Sequence, residues 1–421
     1  MAIAFAVAAS PTLLADRRRG WVRGAARAAL SPPPCARALP RPSGAGAPRA
    51  ALPSPPWRSP AAAVVLRLAA RVSRLTRARV YLARSARRRD EAGNVVGALA
   101  VAGEAGELKK DIGDFYDERS AAWESVWGEH MHHGLYDTPA TADDDYAAQV
   151  ETMRRLLRAG GVDTLPAGAA ILDVGCGIGG ASRFLANRFR GVTVQGVTLS
   201  PAQAARAAEI TRLFGQSDSV TTSVADALAL PYPDDSFDLV WSLESAEHMP
   251  NKPALLAELG RVLKPGGRLL MLAWCERETA APAAGGDGAP AAPLSLDERY
   301  VLARIRDEYC LPRLAAPSEY VAAAAAAGLS VSTTDDWTEA AAPFWGRVAR
   351  SAWRSPAGWA ALRRGGLRLA RSAVAVKYVQ EGIRRGAFRL AVMVATKPGG
   401  GVGNGAPAGA TAVGVAREAT Q

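Results

Sequence analysis

The chain has 421 residues, a formal charge of +11, 49% hydrophobic residues and four cysteines. The positive charge sits at one end. Residues 1–89 hold 18 arginines, no lysine and one acidic residue, Asp16, so this segment carries about +17 and the remainder about −6. A basic nucleic-acid-binding domain is therefore excluded as the source of the charge. Cys35, Cys176, Cys275 and Cys310 show no paired metal spacing, which argues against a zinc site and suits a reducing compartment.

The N-terminal segment is rich in Ala, Arg, Pro and Ser and nearly free of acid, the composition of an organellar transit peptide. Ala61–Ala83 is apolar, but Arg67, Arg71, Arg74, Arg77 and Arg79 break it at near-helical spacing. It reads as a basic amphipathic helix and not as a membrane span. Residues 1–107 are expected to be leader and linker, largely without order. One large α/β domain should occupy residues 108–398. Thr279–Pro293 is an Ala/Pro/Gly-rich insertion within it, residues 338–386 form a helical cap, and Gly399–Gln421 is a disordered tail.

Within the domain, short apolar runs alternate with helical stretches. Ala170–Val174 is a predicted strand that leads through Gly175–Gly180 into a helix ending near Phe189. Thr193–Thr198 is the next strand, and Ser200-Pro201 caps the helix after it. Ser219–Val224 and Phe237–Ser242 are further strands. Pro253–Leu263 is a helix that ends in the turn Lys264-Pro265-Gly266-Gly267, and Arg268–Trp274 is a fifth strand. Such βαβ alternation with short loops predicts a parallel, doubly wound sheet, to which Leu329–Thr334 and Phe388–Thr396 add two strands.

The turn Asp173-Val174-Gly175-Cys176-Gly177-Ile178-Gly179-Gly180 carries the most information. A buried strand, glycines and a helix start bring backbone close to a ligand. Glycines at 175, 177 and 180 satisfy the dinucleotide fingerprint, so the turn alone leaves a nicotinamide enzyme and a nucleoside-type cofactor both open. Two features favour the second. Asp173 would repel a pyrophosphate but suits a cation, and the second strand ends Thr198-Leu199-Ser200 without the acid that holds a dinucleotide ribose.

At this point the residues carry a resemblance. Asp173–Gly180, Val224–Ala227 with Pro231–Val240, and Arg261–Leu270 resemble the motifs of Rossmann-like class I methyltransferases, whose fold is a seven-stranded α/β sheet. A narrower set is similar to gamma-tocopherol methyltransferases: Phe115–Ser120, Trp123-Glu124, Trp127–Gly134, Trp241–Pro250, Trp274-Cys275, Asp336-Trp337 and Ala342–Trp345.

The resemblance implies S-adenosylmethionine as cofactor. Asp173, Gly175, Cys176, Gly177 and Gly179 would hold its methionine moiety, and Thr198, Leu199 and Gln203 would take the ribose-side role. Asp226 and Ala227 would meet adenine, and Ser242 would line the site. The implied reaction methylates the chromanol ring of gamma- and delta-tocopherol in vitamin E synthesis. Such a ring needs a base near its phenol. His130, His133, Glu244 and His248 are the candidates, with Glu247 a rival, and the two segments are expected to face each other.

An amphipathic phenol would be the partner, at a plastid membrane, either the envelope or thylakoid-associated lipid bodies, with no nucleic acid and no metal. Trp337, Phe344, Trp345, Trp353 and Trp359 would cap an apolar tail. Arg347, Arg350, Arg354, Arg363, Arg364, Arg368 and Arg371 would seat that cap on the surface. Two alternatives remain at this level: an N-methyltransferase of an indole-alkaloid-like amine, and a catalytically silent cofactor-binding protein.

Overall fold

Residues 98–279, 292–354 and 375–399 are described in the computed structural model of the chain. The Arg-rich segment, most of the low-complexity insertion, Trp359, Arg363, Arg364, Arg368, Arg371 and the tail lie outside the described residues, as do the side chains of Trp353 and Arg354. The first described element is α1 (Ala98–Trp127), which starts inside the segment expected to be linker. It is followed by α2 (Asp145–Ala159), capped by the Asp144 side chain on Ala147 N at 2.9 Å.

The alternating part begins at β1 (Ala170–Val174) and α3 (Gly180–Arg188). β2 (Thr193–Thr198) follows, then α4 (Pro201–Leu213), opened by Ser200 Oγ accepting from Gln203 N at 3.0 Å. β3 (Val220–Val224) and β4 (Phe237–Leu243) come next. After a single 3-10 turn over Ala246–His248, α5 (Lys252–Val262) runs directly into β5 (Leu263–Glu276). The last third contains α6 (Leu296–Tyr309), α7 (Pro317–Ala326), β6 (Ser330–Asp336), α8 (Thr338–Ala341), α9 (Pro343–Arg354), α10 over 375–384 and β7 (Phe388–Thr396).

The strands form one seven-stranded sheet in the order β3-β2-β1-β4-β5-β7-β6. β1 to β5 pair in parallel, as the alternation predicts. Of the two added strands, β7 lies antiparallel between β5 and β6, so the sheet is mixed at this edge. Strand spacing gives no sign of this: the chain enters β7 at the end where it leaves β6, with Asp336 beside Ala391. The central strands are apolar on both faces because helices cover both. Ile171 enters one core cluster, while Leu172 and Val174 enter the other. The edge strands are polar: β6 reads Ser-Val-Ser-Thr-Thr-Asp-Asp and is largely exposed.

The expected turn at Lys264–Gly267 is part of β5, not a break before it. Leu263 pairs with Phe237, the register then shifts before Leu239 meets Arg268, and Gly266 N and Gly267 O bond to Lys397 at 2.8 and 3.0 Å. The four residues are thus a bulge pinned from β7's far end. For the site, the chief consequence of the topology is the reversal between β1 and β4. From β1 the order runs outward to β2 and β3, and from β4 it runs the other way. The carboxyl ends of these neighbours open a crevice there.

Candidate active site

A cleft open to solvent occupies that crevice. One side is built from the glycine turn. Gly175, Gly177 and Gly179 have φ of +74°, +55° and +78°, the left-handed region that side chains disfavour. Gly175 is also a close approach, since a Cβ there would lie 2.2 Å from Ser245 Cβ. The backbone N–H groups of Gly175 and Cys176 both donate to Val197 O, so the turn is tied to β2. Cys176 is buried, and burial pushes its thiol well up.

Asp173 is 1% exposed and accepts from Ser182 Oγ at 2.6 Å. Burial raises its carboxyl to about 6, the Ser182 bond opposing. At the end of β2, Thr198 Oγ1 donates to Gln203 Oε1 at 2.8 Å, and Gln203 Nε2 donates to Ser120 Oγ of α1 at 3.0 Å. Asp173, Gly175, Cys176, Gly177, Thr198, Leu199 and Gln203 all line the cleft. Gly179, Asp226, Ala227 and Ser242 do not. Asp226 is ion-paired to Lys109 of α1 and caps Leu228 N at 3.0 Å. Ala227 packs in the core, and Ser242 Oγ is 3.0 Å from Ser245 Oγ inside the sheet.

The other side joins the segment after α1 to the segment after β4. Gln149 of α2 donates to His130 O and His132 O, and Thr152 Oγ1 donates to His133 O at 2.8 Å, so α2 fixes the backbone of 130–133. Arg183 of α3, itself 3% exposed, pairs with Glu129 at 2.8 Å and anchors the start of this segment on the glycine turn. Glu244 has φ +52° and turns its carboxylate back across the sheet end. Its Oε1 accepts from His133 N at 2.7 Å, and its Oε2 accepts from His133 Nδ1 at 2.7 Å and from Trp274 Nε1 at 2.8 Å. The expected facing of the two segments is therefore a direct contact, His133 to Glu244.

The electrostatics follow from burial and partners. For Glu244, burial favours the neutral form, but His133 and Trp274 outweigh it and hold the carboxyl below its usual range. Glu247 is 2% exposed, and burial and then the Glu244 charge push it up to about 8. Burial also depresses the imidazoles. His130 falls well below its usual range, His132 is lowered, and His248 falls to about 3 under burial and the nearby Lys252. His248 Nε2 lies 2.7 Å from Tyr116 OH of α1, whose phenol burial raises strongly. Lys252 Nζ donates to Ala246 O, Glu247 O and Met249 O, which clamps the 3-10 turn in place.

The buried Nε2 of His133, Nδ1 of His130 and Oε2 of Glu247 have no hydrogen-bond partner, and all three residues line the cleft. Aromatic rings close it: the His133 ring lies 4.7 Å from Phe344, 5.2 Å from Trp345 and 5.6 Å from Trp274 between centroids. Trp127 and Tyr309 complete the wall. Trp337 is buried, bonds Asp335 at 2.7 Å and does not line the cleft, unlike Phe344 and Trp345, and Arg347, expected to seat the cap on a surface, pairs with Asp145. Among the described residues no group of three or more His, Cys, Asp or Glu could hold a metal.

The long-range partners Lys109, Tyr116, Ser120 and Trp274 receive no role from sequence alone. Their contacts span 117, 132, 83 and 30 residues, a separation no local motif signals.

Residues 172–271 match the family model described as a methyltransferase domain. The chain is 41% identical over 297 residues, 69% of its own length and 79% of the relative's, to a probable chloroplastic tocopherol O-methyltransferase of Oryza sativa subsp. japonica. It is 38% identical over 316 residues, covering 73% and 87% respectively, to the chloroplastic tocopherol O-methyltransferase of Arabidopsis thaliana. Among solved structures it is similar to the [4+2]-cyclase SpnF, with a TM-score of 0.56 and 26% identity over 69% of this chain and 97% of that one.

Proposed function

The chain belongs to the tocopherol methyltransferase family and is an S-adenosylmethionine-dependent methyltransferase of tocopherol biosynthesis, and on that premise we propose that it methylates the chromanol ring carbon of gamma-tocopherol, and of delta-tocopherol, to give alpha- and beta-tocopherol. The observation that carries this reading is the His133–Glu244 pair, which presents one unpartnered imidazole nitrogen to an aromatic-walled cleft.

The cofactor side of the cleft fits its ligand. Asp173 is a buried carboxyl that a neighbouring cation would favour in its charged form. A Cβ on Gly177 would meet nothing closer than Met131 Sδ at 3.9 Å, so backbone faces open space there. Asp173, Gly175, Cys176 and Gly177 would hold the methionine part, with Thr198, Leu199 and Gln203 beside the ribose, while Gly179 lies behind them at the helix cap with φ +78°. Asp226 and Ala227 would serve the adenine end only with Lys109 displaced or sharing the carboxylate. Ser242 supports the turn through Ser245. When bound, S-adenosylmethionine supplies a methyl group made electrophilic by its sulfonium sulfur.

The chain's own part is proton handling, positioning and exclusion of water. An ionised carboxylate only accepts, so Glu244 places a proton on His133 Nδ1, and in the neutral imidazole Nε2 is then the lone pair. That nitrogen takes the phenol proton, which raises electron density on the adjacent ring carbon. Trp274 holds Glu244 from the other side. His130 and His248 lie in the same cleft, where burial depresses both imidazoles and so weakens them as bases, and His248 is also tied to Tyr116. The aromatic wall accommodates the apolar substrate and keeps water out.

The charge of the cleft favours a phenol over an amine. An ammonium substrate needs an uncommitted carboxylate, but Glu244 already accepts three hydrogen bonds, and burial together with the Glu244 charge raises Glu247. A catalytically silent protein is disfavoured by the intact glycine turn and base pair.

The chain acts in the plastid, as the plant relatives do by name. No described helix is long and apolar enough to cross a membrane. Peripheral contact with a plastid membrane belongs to the proposal, supported by Leu296 and Tyr300, which are 78% and 59% exposed one turn apart on α6. The test offers the full chain labelled cofactor with gamma-tocopherol, delta-tocopherol and an indole-type amine side by side. Label in the tocopherols supports the reading, and label in the amine alone rejects it.

A further inference from the structure

Methylation at a phenol ring carbon involves two separate proton movements. The phenol O–H gives up its proton as the carbon attacks. Afterwards the same carbon holds both the new methyl group and its original hydrogen, and that hydrogen must leave as a proton to restore the aromatic ring. His133 is placed for the first. It is bonded to Glu244 through Nδ1, so only Nε2 is available, and Nε2 already holds the phenol proton when the second is due.

A second protonatable group lies in the same cleft. Glu247 is 2% exposed and its Oε2 has no hydrogen-bond partner. It sits on the 3-10 turn Ala246–His248, clamped by Lys252. The turn packs directly on the cofactor side of the cleft: Ser245 Oγ donates to Val174 O at 2.6 Å, and Ser245 Cβ would meet a Cβ on Gly175. A buried carboxyl oxygen without a partner is costly to keep unless it has a task.

We infer that Glu247 is the base that removes the hydrogen from the methylated ring carbon, so that two side chains divide the proton handling; this rests on the chromanol reading above. In that step the ring C–H bond breaks, its electron pair returns to the ring, and the proton binds Glu247 Oε2. The phenol oxygen recovers its own proton from His133, and Glu247 later releases its proton to solvent. The two neighbouring carboxyls suit different roles because their surroundings drive them apart, Glu244 down and Glu247 up to about 8. The upward shift makes the Glu247 carboxylate a stronger base than an ordinary one, and the cation of the bound cofactor favours its ionised form.

The test compares gamma-tocopherol carrying hydrogen or deuterium at the ring carbon to be methylated, using full-length enzyme and the Glu247→Gln and Glu247→Asp variants. Cofactor binding by calorimetry and thermal melting show whether each variant is folded. In the unsubstituted enzyme the rate is expected to be the same for both isotopes. In Glu247→Gln turnover falls roughly 100-fold and the deuterated substrate becomes slower than the protiated one, while cofactor binding is kept. Glu247→Asp recovers part of the rate and of the isotope insensitivity. Slow turnover with no isotope effect would make Glu247 a merely structural group and overturn the inference, as would unchanged turnover. If the unsubstituted enzyme does not methylate the chromanol at all, the substrate reading falls and takes this inference with it; methylation with an isotope response unaltered in Glu247→Gln overturns the inference alone.

Discussion

His133 Nδ1 lies 2.7 Å from Glu244 Oε2, and the His133 backbone N–H lies 2.7 Å from the other oxygen of the same carboxylate. One acidic side chain, held in the left-handed region at φ +52°, thus fixes both the position of the imidazole and the proton on it. The consequence is measurable. His133→Ala is expected to lower kcat by roughly 100-fold or more while leaving cofactor affinity within a few-fold. Glu244→Gln lowers kcat as well, because the amide offers a donor where the histidine needs an acceptor. His248→Ala, whose ring is engaged by Tyr116, costs less than His133→Ala. Steady-state kinetics beside calorimetric cofactor titration checks the order.

Asp173 predicts a trade between stability and binding. Its folded pKa, about 6, is raised above its ordinary 3.8. The stability linked to it in the cofactor-free protein is present below pH 3.8 and is lost as pH rises through 6, amounting to about 3 kcal/mol. Asp173→Asn therefore raises the melting temperature of the cofactor-free protein at pH 7 and abolishes cofactor binding. In the unsubstituted protein cofactor affinity weakens as pH falls below 6, because the proton competes with the cation. Melting curves of both proteins, and calorimetry on either side of that pH, check the two halves.

Two glycines of the turn are expected to differ. Alanine at 177 faces left-handed backbone strain only, at φ +55° with no close neighbour, and costs about 1–2 kcal/mol. Alanine at 175 carries the same strain and also drives its Cβ to 2.2 Å from Ser245, so it displaces the Glu244–His248 segment. Gly175→Ala should melt well below Gly177→Ala and lose both cofactor binding and turnover. Equal melting temperatures would show that the turn yields freely at Ser245.

Trp127 is half-buried in the cleft wall, 5.7 Å from Trp345 and stacked on Trp123 at 5.4 Å. Trp127→Leu keeps an apolar surface but removes ring area. The KM for tocopherol with its full tail should rise several-fold, while that for a tail-less chromanol stays nearly the same. Kinetics with both substrates decides it, and an equal rise for both would place the tail elsewhere.

Much of the fold is legible in the residues themselves. The parallel strands, the Ser200-Pro201 cap and the glycine turn are local signals, set by periodicity, capping chemistry and the missing Cβ. The direction of β7 and the start of α1 at Ala98 are not legible, since one depends on where a long connection re-enters the sheet and the other lies in an Ala- and Gly-rich stretch. For the site, the histidine string and the residues after β4 stand out, yet nothing in sequence distinguishes Glu244, which accepts three hydrogen bonds, from Glu247, which has an unpartnered oxygen. Asp226 resembles an adenine ligand by position, and only the fold reveals Lys109 beside it from 117 residues away. Pairings at such separation are decided by packing.

The most direct test of the proposed reaction is to identify the atom that receives the methyl group. Full-length protein is incubated with gamma-tocopherol and cofactor carrying a 13C-labelled methyl group, and the product is read by NMR. The expected product has a single carbon-bound aromatic methyl, lost together with turnover in His133→Ala. A methyl group on the phenol oxygen, or transfer that survives without His133, would contradict ring-carbon methylation driven by the His133–Glu244 pair.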